Sequence, residues 1–321
     1  MGEYKKMNIL INGAGAIGIA LGASMISQNV NVSFYARKNT ADALKNGIKR
    51  IGLFNHLSYS SDKYDMYTNY DEISENTFDY VFVCSKTIAN NDISVELNKH
   101  KKILKNNAKI IIFQNGYGND KPYLRYFNED EVYVARVITG FKRSERNVSE
   151  ITVHTEPLLI GSLQGANLES VKIISKMISD AGIPSETSDK ISEYLWAKML
   201  YNCALNPLGA ILKVSYGKLT ESQYSKNIMD NIIEEIFNVI KKAGYKTLWE
   251  TPMEYKKIFY EKLVPDTYNH NSSTFQDIQR KQKTEIDSLT GTIIELGREY
   301  GVDVSVNKTI YDLIKTIESD F

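Results

Sequence analysis

A glycine-rich turn near the start of the chain constrains the fold more than any other feature. Residues 7–12 form a short, mostly apolar run, the motif G-A-G-A-I-G follows at residues 13–18, and an apolar helical pattern continues from Ile19. This order of strand, turn and helix start is typical of dinucleotide binding, because free N–H groups at a helix N-terminus bind the pyrophosphate.

The three glycines of the motif have different expected tasks. Gly13 permits the tight turn, Gly15 lets the backbone approach the pyrophosphate, and Gly18 lets the helix pack closely on the strand. The alternative is a purely structural turn. The sequence predicts that the following residues bind a dinucleotide: Gly13, Ala14, Gly15, Ala16, Ile17 and Gly18.

The end of the second predicted strand indicates which dinucleotide is bound. Residues 30–36 form this strand, and Arg37, Lys38, Asn39 and Thr40 follow it. A site for NAD places Asp or Glu here to accept a hydrogen bond from the ribose 2′-hydroxyl. Cations suit a 2′-phosphate instead, so we expect NADPH to be preferred, unless the two charges are merely solvated in a loop.

Two further predicted strands end in polar side chains. Residues 78–84 lead to Lys86, and residues 108–113 lead to Asn115. Ligands of open α/β sheets bind outside the carboxyl ends of the strands, so both side chains are candidates for contact with cofactor or substrate. A surface lysine and an asparagine turn before glycine are the structural alternatives.

The remaining pattern divides the chain in two. Alternating runs predict an antiparallel extension of the sheet, and they lie at residues 132–138, 151–154 and 157–161. A helix at 168–181 and a strand at 183–187 follow, and beyond Asp189 the pattern is predominantly helical. We therefore expect an α/β protein with a Rossmann-type dinucleotide-binding domain over 1–188 and an all-helical domain over 189–321.

A polar stripe interrupts an otherwise apolar helix pattern at residues 194–207. Lys198, Asn202 and Asn206 recur every four residues and therefore share one helical face. A buried or half-buried lysine is costly unless the site needs it, and two carboxamides beside it can orient a small polar ligand. The stripe predicts a substrate site on a rigid element.

A second constellation lies in the C-terminal half. Ser273 and Gln276 fit a capping box, which predicts a helix start there. Glu285 lies eight residues after Asp277, on a broadly similar helical face, and apolar residues follow it. An acid beside an apolar stripe is usually solvated; the alternative is a catalytic carboxylate.

Composition excludes several classes of function. The 39 basic and 39 acidic residues give a formal net charge of zero, which disfavours nucleic-acid binding. The four histidines show no metal-ligand spacing, so no metal site is expected, and Cys84 and Cys203 resemble small core residues in a reducing compartment. No stretch is apolar enough for a membrane span, and we expect a soluble, cytoplasmic protein.

The motifs together resemble the ketopantoate reductase (2-dehydropantoate 2-reductase) family. They occur in the family's order over essentially the whole chain: the GAGAIG turn, a strand leading to Lys86, Q-N-G at 114–116, W-x-K-x3-N-x3-N-P at 196–207, and S-S-x-x-Q-D with T-E-I-D at 272–287. The resemblance implies NADPH-dependent reduction of 2-dehydropantoate to pantoate, a step toward pantothenate and CoA, with the active site in the cleft between a Rossmann-type and a helical domain.

The resemblance also implies roles for individual residues. Lys198 matches the general acid that protonates the ketone oxygen, and Glu285 matches a second catalytic residue near the reacting carbonyl and the substrate hydroxyl. The substrate-binding positions match Asn202, Asn206, Ser273 and Asn115. The cofactor-binding positions match the glycine turn together with Arg37, Lys86, Asn115 and Glu285.

Three alternatives stay open at this point. The same residues suit another small branched 2-oxo acid, and an NADP(H)-sensing protein needs only the Rossmann domain. Opine-type or sugar-acid dehydrogenases share the domain order but are expected to carry a histidine or a different lysine motif in the helical half. A small-molecule substrate is the expected partner, and the family likeness suggests a monomer or homodimer.

Overall fold

The described chain begins with the strand, glycine turn and helix that the sequence predicts. In the computed structural model, which describes residues 7–321, strand β1 spans Asn8–Asn12 and helix α1 spans Ala16–Ser27. The middle of β1 and the stretch of α1 from Gly18 to Met25 are fully buried. Elements that are apolar on every side belong inside a layered α/β structure, which explains why this segment forms its centre.

The described chain forms two compact units. The first, the sheet unit, comprises the chain up to Gln114 together with Asn119–Ile191, and the second, the helical unit, comprises Asn115–Gly118 and Ser192–Phe321. The short segment Asn115–Gly118 therefore belongs to the helical unit, although both of its chain neighbours belong to the sheet unit. The domain boundary expected after residue 188 stays a prediction.

All strands in the described residues lie in the sheet unit. In chain order they are β1 and then β2 (Asn31–Tyr35), β3 (Ile48–Gly52), β4 (Leu57–Tyr59), β5 (Tyr64–Tyr67), β6 (Phe78–Val83), β7 (Leu104–Ile112), β8 (Val132–Arg136), β9 (Gly140–Glu145), β10 (Val148–Val153), β11 (Leu158–Gly161) and β12 (Ser185–Thr187). The sheet-unit helices after α1 are α2 (Lys38–Leu44), α3 (Asn90–Lys99), α4 (Lys121–Leu124) and α5 (Glu169–Asp180).

Eight of these strands form one sheet in the order β12-β11-β8-β7-β6-β1-β2-β5. From β8 to β5 every neighbouring pair is parallel. Strand β11 pairs antiparallel with β8 and parallel with β12. The predicted Rossmann-type α/β fold is confirmed, and the parallel strands place their carboxyl ends at one edge of the sheet.

The predicted antiparallel extension of the main sheet is correct where β11 pairs with β8, and wrong for β10. Residues 157–161 form the antiparallel β11, but β8 pairs parallel with β7, and β10 leaves the main sheet. Strand β10 belongs to a second, four-stranded sheet in the order β4-β3-β10-β9. An alternating run identifies a half-buried strand but not its partner, and here the partner of β10 is β3, far earlier in the chain.

The helical unit contains both long and short helices, which pack around an apolar core. They are α6 (Ile191–Leu212), α7 (Tyr216–Leu219), α8 (Gln223–Lys242), α9 (Pro252–Ile258), α10 (Val264–Asp266), α11 (Ser273–Gln279), α12 (Thr290–Tyr300) and α13 (Ser305–Glu318). A π-helical turn at Phe259–Leu263 joins α9 to α10. Helix α12 ends at Gly301, whose φ of 65° allows the left-handed cap.

Helix α8 is central to this unit because it packs against α9, α12 and α13. Its buried face consists of branched residues at helical spacing, including Ile232, Ile236 and Ile240. Among the helices of the described residues, none is both long and apolar enough to span a membrane.

Candidate active site

The carboxyl ends of β1, β2 and β6 are tied together by backbone hydrogen bonds. The N–H of Gly13 donates to the carbonyl of Tyr35 at 3.0 Å, and the N–H of Cys84 donates to the carbonyl of Asn12 at 2.8 Å. The structure therefore brings Gly13, Arg37 and Lys86, the residues that follow these strands, to the same edge of the sheet.

The glycine turn leaves space at one of its three glycines. A Cβ at Gly13, which has a φ of +104°, would lie 2.5 Å from the backbone nitrogen of Ser85, and a Cβ at Gly18 would lie 2.1 Å from the carbonyl oxygen of Gly13. At Gly15 the nearest atom, the carbonyl oxygen of Cys84, would lie 4.0 Å away. Gly13 and Gly18 are thus required by packing, whereas the backbone at Gly15 is open to a ligand.

The start of α1 fits a dinucleotide. Gly15 is the N-cap residue and no side chain caps it, so the helix presents N–H groups at Ala16, Ile17 and Gly18 beside the open backbone. A pyrophosphate bound there would receive hydrogen bonds and the favourable end of the helix dipole. The residues present therefore fit the pyrophosphate of a dinucleotide cofactor.

The predicted 2′-phosphate residues lie directly after β2. Arg37 is the N-cap of α2 and Lys38 is its first residue, and both side chains are exposed. A third cation is nearby, because Arg146 Nη1 donates to the carbonyl of Asn39 at 3.3 Å. Lys86 is likewise exposed, just before a short 3-10 turn at Thr87–Ala89. Their contacts with a cofactor stay predictions.

In the helical unit, three predicted site residues from distant parts of the sequence are linked by hydrogen bonds. Lys198 Nζ donates to Asn115 Oδ1 at 2.6 Å, and Asn115 Nδ2 donates to Glu285 Oε2 at 3.2 Å. All three side chains are half-buried. The structure thus brings an ammonium, an amide and a carboxylate together, an arrangement able to donate a proton to a bound carbonyl oxygen.

The segment Asn115–Gly118 reaches this position through close packing within the helical unit. Gly116 has a φ of +107°, and a Cβ there would lie 2.4 Å from the carbonyl oxygen of Ser288. The ring of Tyr117 packs against Trp196 and Tyr245, with centroid separations of 4.6 and 5.2 Å. These contacts hold Asn115 beside α6, which carries Lys198.

Helix α6 presents the predicted polar stripe. Lys198 and Asn202 are half-buried, whereas Asn206 is almost completely buried. Asn206 Oδ1 accepts a hydrogen bond from the hydroxyl of Tyr216 at 2.5 Å. Burial raises the pKa of Tyr216 well above its usual value, so this hydroxyl stays a donor. The hydrogen bond from Tyr216 thus fixes the orientation of the Asn206 amide, and contact of its Nδ2 with a substrate stays a prediction.

The structure replaces the predicted capping box with a simple serine N-cap one residue earlier, because the residue three positions after Ser272 is Phe275. Ser272, not Ser273, is the N-cap of α11, and its Oγ accepts from the N–H of Phe275 at 3.0 Å. The same hydroxyl donates to the backbone carbonyl of Asn206 at 3.0 Å, which fixes Ser272 in the core. Ser273 is exposed as the first helical residue. Its contact with a substrate carboxylate stays a prediction.

The helical setting predicted for Glu285 is wrong. Helix α11 ends at Gln279, and Lys281 adopts a φ of 51° in the left-handed region. Glu285 follows in a loop, immediately before the 3-10 turn Ile286–Ser288. Asp277 and Glu285 therefore do not share a helical face, and Glu285 reaches Asn115 from a loop instead.

Two residues that the sequence analysis missed hold parts of this site. Tyr216 orients Asn206, and no sequence pattern marked it. Glu318 accepts hydrogen bonds from Thr284, the residue before Glu285. The sequence did contain a signal for Glu318. This acid shares the face of the C-terminal amphipathic helix that Ile310 and Ile314 bury, and a buried acid needs a partner.

Metal and thiol chemistry have little support in the part of the chain that the structure describes. There, no group of three His, Cys, Asp or Glu side chains is arranged to hold a metal ion. Both cysteines are free, and burial raises the pKa of Cys203 to about 12.

The sheet unit has an open glycine turn, and the helical unit has a lysine that is hydrogen-bonded to an amide beside a carboxylate. Together these features are typical of nicotinamide-dependent oxidoreductases. Comparison with known proteins narrows this class. The family model "Ketopantoate reductase PanE/ApbA" matches residues 9–165, and "Ketopantoate reductase PanE/ApbA C terminal" matches residues 190–318. A 2-dehydropantoate 2-reductase of Aquifex aeolicus is 36% identical over 315 residues, which cover 97% of each chain.

Solved structures agree with this assignment. A PanE/ApbA family ketopantoate reductase from Ralstonia eutropha superposes with a TM-score of 0.82 at 25% identity, covering 98% of this chain and 99% of that one. A D-mandelate dehydrogenase solved with NADH and anilino(oxo)acetate shares the fold, with a TM-score of 0.84 at 19% identity and coverage of 98% and 99%. The chain belongs to the ketopantoate reductase family and is a 2-oxo acid reductase.

Proposed function

We propose that this chain reduces 2-dehydropantoate to pantoate with NADPH. The observation that carries the proposal is the hydrogen-bonded series Lys198–Asn115–Glu285, a proton donor held beside an acid. The family membership and the name of the Aquifex aeolicus relative support the substrate. The pantoate formed would serve pantothenate and CoA synthesis, and we expect a cytoplasmic enzyme.

The reaction adds a hydride to C2 of the oxo acid and a proton to its oxygen. NADPH supplies the hydride when bound. Negative charge then develops on the oxygen, and the Lys198 ammonium stabilises this charge and transfers a proton from Nζ to the oxygen. Solvent reprotonates the amine after product release. The hydrogen bond to Asn115 Oδ1 directs one N–H of the ammonium.

Glu285 acts beside this donor in the proposal. Its carboxylate accepts a hydrogen bond from Asn115, so the amide is held in the orientation that turns its oxygen toward Lys198. The carboxylate also accepts a hydrogen bond from the hydroxyl of the substrate.

The remaining polar groups of the site hold the substrate. The hydroxyl at the far end of 2-dehydropantoate needs amide partners, which Asn202 and Nδ2 of Asn206 provide from the face of α6. The exposed Ser273 hydroxyl offers a donor for the carboxylate.

The choice of cofactor rests on the residues after β2. Arg37 and Lys38 replace the acid that reads a ribose 2′-hydroxyl, and their exposed cations suit the 2′-phosphate of NADPH. The open backbone at Gly15 suits the pyrophosphate. Lys86 lies at the same edge of the sheet and offers a further cation.

A second candidate is reduction of another 2-oxo acid. The D-mandelate dehydrogenase that shares the fold was solved with NADH and anilino(oxo)acetate, so the architecture accommodates a different oxo acid and cofactor. The family membership disfavours an NADP(H)-sensing protein without turnover, which also gives no reason for the Lys198–Asn115–Glu285 series.

A panel of oxo acids assayed with NADPH and with NADH separates these functions. We expect the highest kcat/KM with 2-dehydropantoate and NADPH, and lower values with benzoylformate and 3-methyl-2-oxobutanoate. A higher value for either other acid would establish the second candidate, and no turnover with any of the three acids would contradict both. Light scattering of the same sample tests the expected monomer or homodimer.

A further inference from the structure

We propose that Glu318, in the last turn of α13, is a positioning residue that holds the loop carrying Glu285. This inference rests on the proposed function, because it concerns a residue that acts through Glu285. It goes beyond that function, because the proposed reaction gives no role to Glu318, which lies more than thirty positions after Glu285 in the chain.

Glu318 binds the residue that precedes Glu285. Its Oε1 accepts both the backbone N–H of Thr284, at 2.7 Å, and the hydroxyl of Thr284, at 2.6 Å. The Thr284 hydroxyl also accepts from the N–H of Ile286 at 3.2 Å. The backbone on both sides of Glu285 is therefore connected to one carboxylate oxygen.

The same helix also holds the other end of this segment. The carboxylate of Asp287 accepts from the hydroxyl of Tyr311 at 2.6 Å and pairs with Lys315 Nζ at 3.3 Å. Lys315 in turn pairs with Oε2 of Glu318 at 3.1 Å. Side chains of α13 thus form hydrogen bonds or ion pairs with Thr284 and Asp287, the residues on either side of Glu285 and Ile286.

The placement of Glu318 is unusual for an acid. Its side chain is almost completely buried, as is that of Thr284, and burying a carboxylate is costly unless hydrogen bonds compensate. Two of its compensating bonds go to the loop residue beside Glu285. The loop itself follows the left-handed residue Lys281 and has no helical hydrogen-bond ladder to define its path. A fixed anchor is what such a loop needs to place a catalytic side chain reproducibly.

The test compares Glu318→Ala and Glu318→Gln with a control on the same helix. The control is Asp312→Ala, which removes an exposed acid paired with Lys308 one turn away. We expect Glu318→Ala to lower kcat with the oxo acid about tenfold to a hundredfold while KM for NADPH is unchanged, because a displaced catalytic group slows the chemical step. Glu318→Gln keeps an acceptor for Thr284 and should recover most of kcat.

A double-mutant cycle shows whether Glu318 acts through Glu285. In a Glu285→Gln background the effect of Glu318→Ala on kcat should largely disappear. If Glu318→Ala does not fold, Thr284→Val carries the same cycle, because it removes one of the two bonds to Glu318 and should lower kcat only when Glu285 is present.

The inference is overturned if Glu318→Ala lowers Tm but leaves kcat within twofold of the wild-type value, or if its effect on kcat is equal in both backgrounds. Failure of the proposed function looks different. If Glu285→Gln itself turns over normally, the catalytic assignment of Glu285 is wrong and the positioning role falls with it. If Glu285→Gln is impaired and Glu318→Ala is not, only the positioning role falls.

Discussion

Lys198 Nζ lies 2.6 Å from Asn115 Oδ1, although the two residues are 83 positions apart in the chain. A neutral amide thus accepts a hydrogen bond from the lysine ammonium and fixes the direction of that N–H. Asn115 in turn donates to Glu285 at 3.2 Å, so one side chain orients both candidate catalytic groups.

Replacing Asn115 should impair chemistry more than binding. In Asn115→Ala, Lys198 and Glu285 both lose the hydrogen bond that orients them. We expect kcat to fall about a hundredfold, the scale of losing one preorganised polar group, with a smaller change in KM for the oxo acid. Steady-state kinetics measures both. A large rise in KM with unchanged kcat would mean that Asn115 only binds ligand.

Arg37 should determine the preference for NADPH. Its exposed guanidinium follows β2, and loss of a charge-assisted bond to a 2′-phosphate is worth about 1.5–3 kcal/mol. Arg37→Ala should therefore weaken NADPH binding about tenfold to a hundredfold and leave NADH binding unchanged. The matched control is Lys45→Ala at the other end of α2, where the cation pairs with Asp42. Equal losses for both cofactors would refute the 2′-phosphate role.

The hydroxyl of Tyr216 should matter for substrate affinity. In Tyr216→Phe, Asn206 Oδ1 loses its buried hydrogen-bond donor, so the amide can rotate. The free energy of unfolding should fall by about 1–3 kcal/mol, because a buried acceptor is left unsatisfied. We expect KM for the oxo acid to rise about tenfold while KM for NADPH is unchanged. Tyr260→Phe makes the same chemical change where the hydroxyl donates to Asp230, and it should leave KM for the oxo acid as it is.

The thiol of Cys203 should be inert in the folded protein. Burial raises its pKa to about 12, so at pH 8 only about one thiol in 10⁴ is ionised, and the thiolate is the form that reacts. In a Cys84→Ala variant, a disulfide reagent at pH 8 should label Cys203 at least a thousandfold more slowly before unfolding than after it. Labelling of the native protein at the rate of a solvent-exposed thiol would contradict this burial.

Local chemistry made the centre of the fold predictable. The glycine turn combines a strand, a turn that needs a positive φ at Gly13 and a close contact at Gly18, and all three requirements are readable within a dozen residues. Helix α6 was predictable for the same reason, because Lys198, Asn202 and Asn206 repeat at the helical period.

The predictions from the sequence were wrong where contacts between residues that are distant in the chain determine the local structure. Strand β10 pairs with β3, about a hundred positions earlier, and nothing in its alternation reveals that partner. Either of two adjacent serines could have been the N-cap of α11. Ser272 takes this position, because its hydroxyl also donates a hydrogen bond to the Asn206 carbonyl. The path of the Glu285 loop depends on Glu318, which no local pattern connects to it.

The role of Lys198 as proton donor is the central claim, and a side-by-side measurement of Lys198→Ala and the wild-type protein tests it most directly. The measurement is the rate of NADPH oxidation with 2-dehydropantoate, together with the NADPH Kd from cofactor fluorescence. We predict that Lys198→Ala loses at least about a thousandfold in kcat, since it removes both the acid and the charge that stabilises the developing alkoxide, while Kd for NADPH is unchanged. Turnover by Lys198→Ala within tenfold of the wild-type rate would contradict the account.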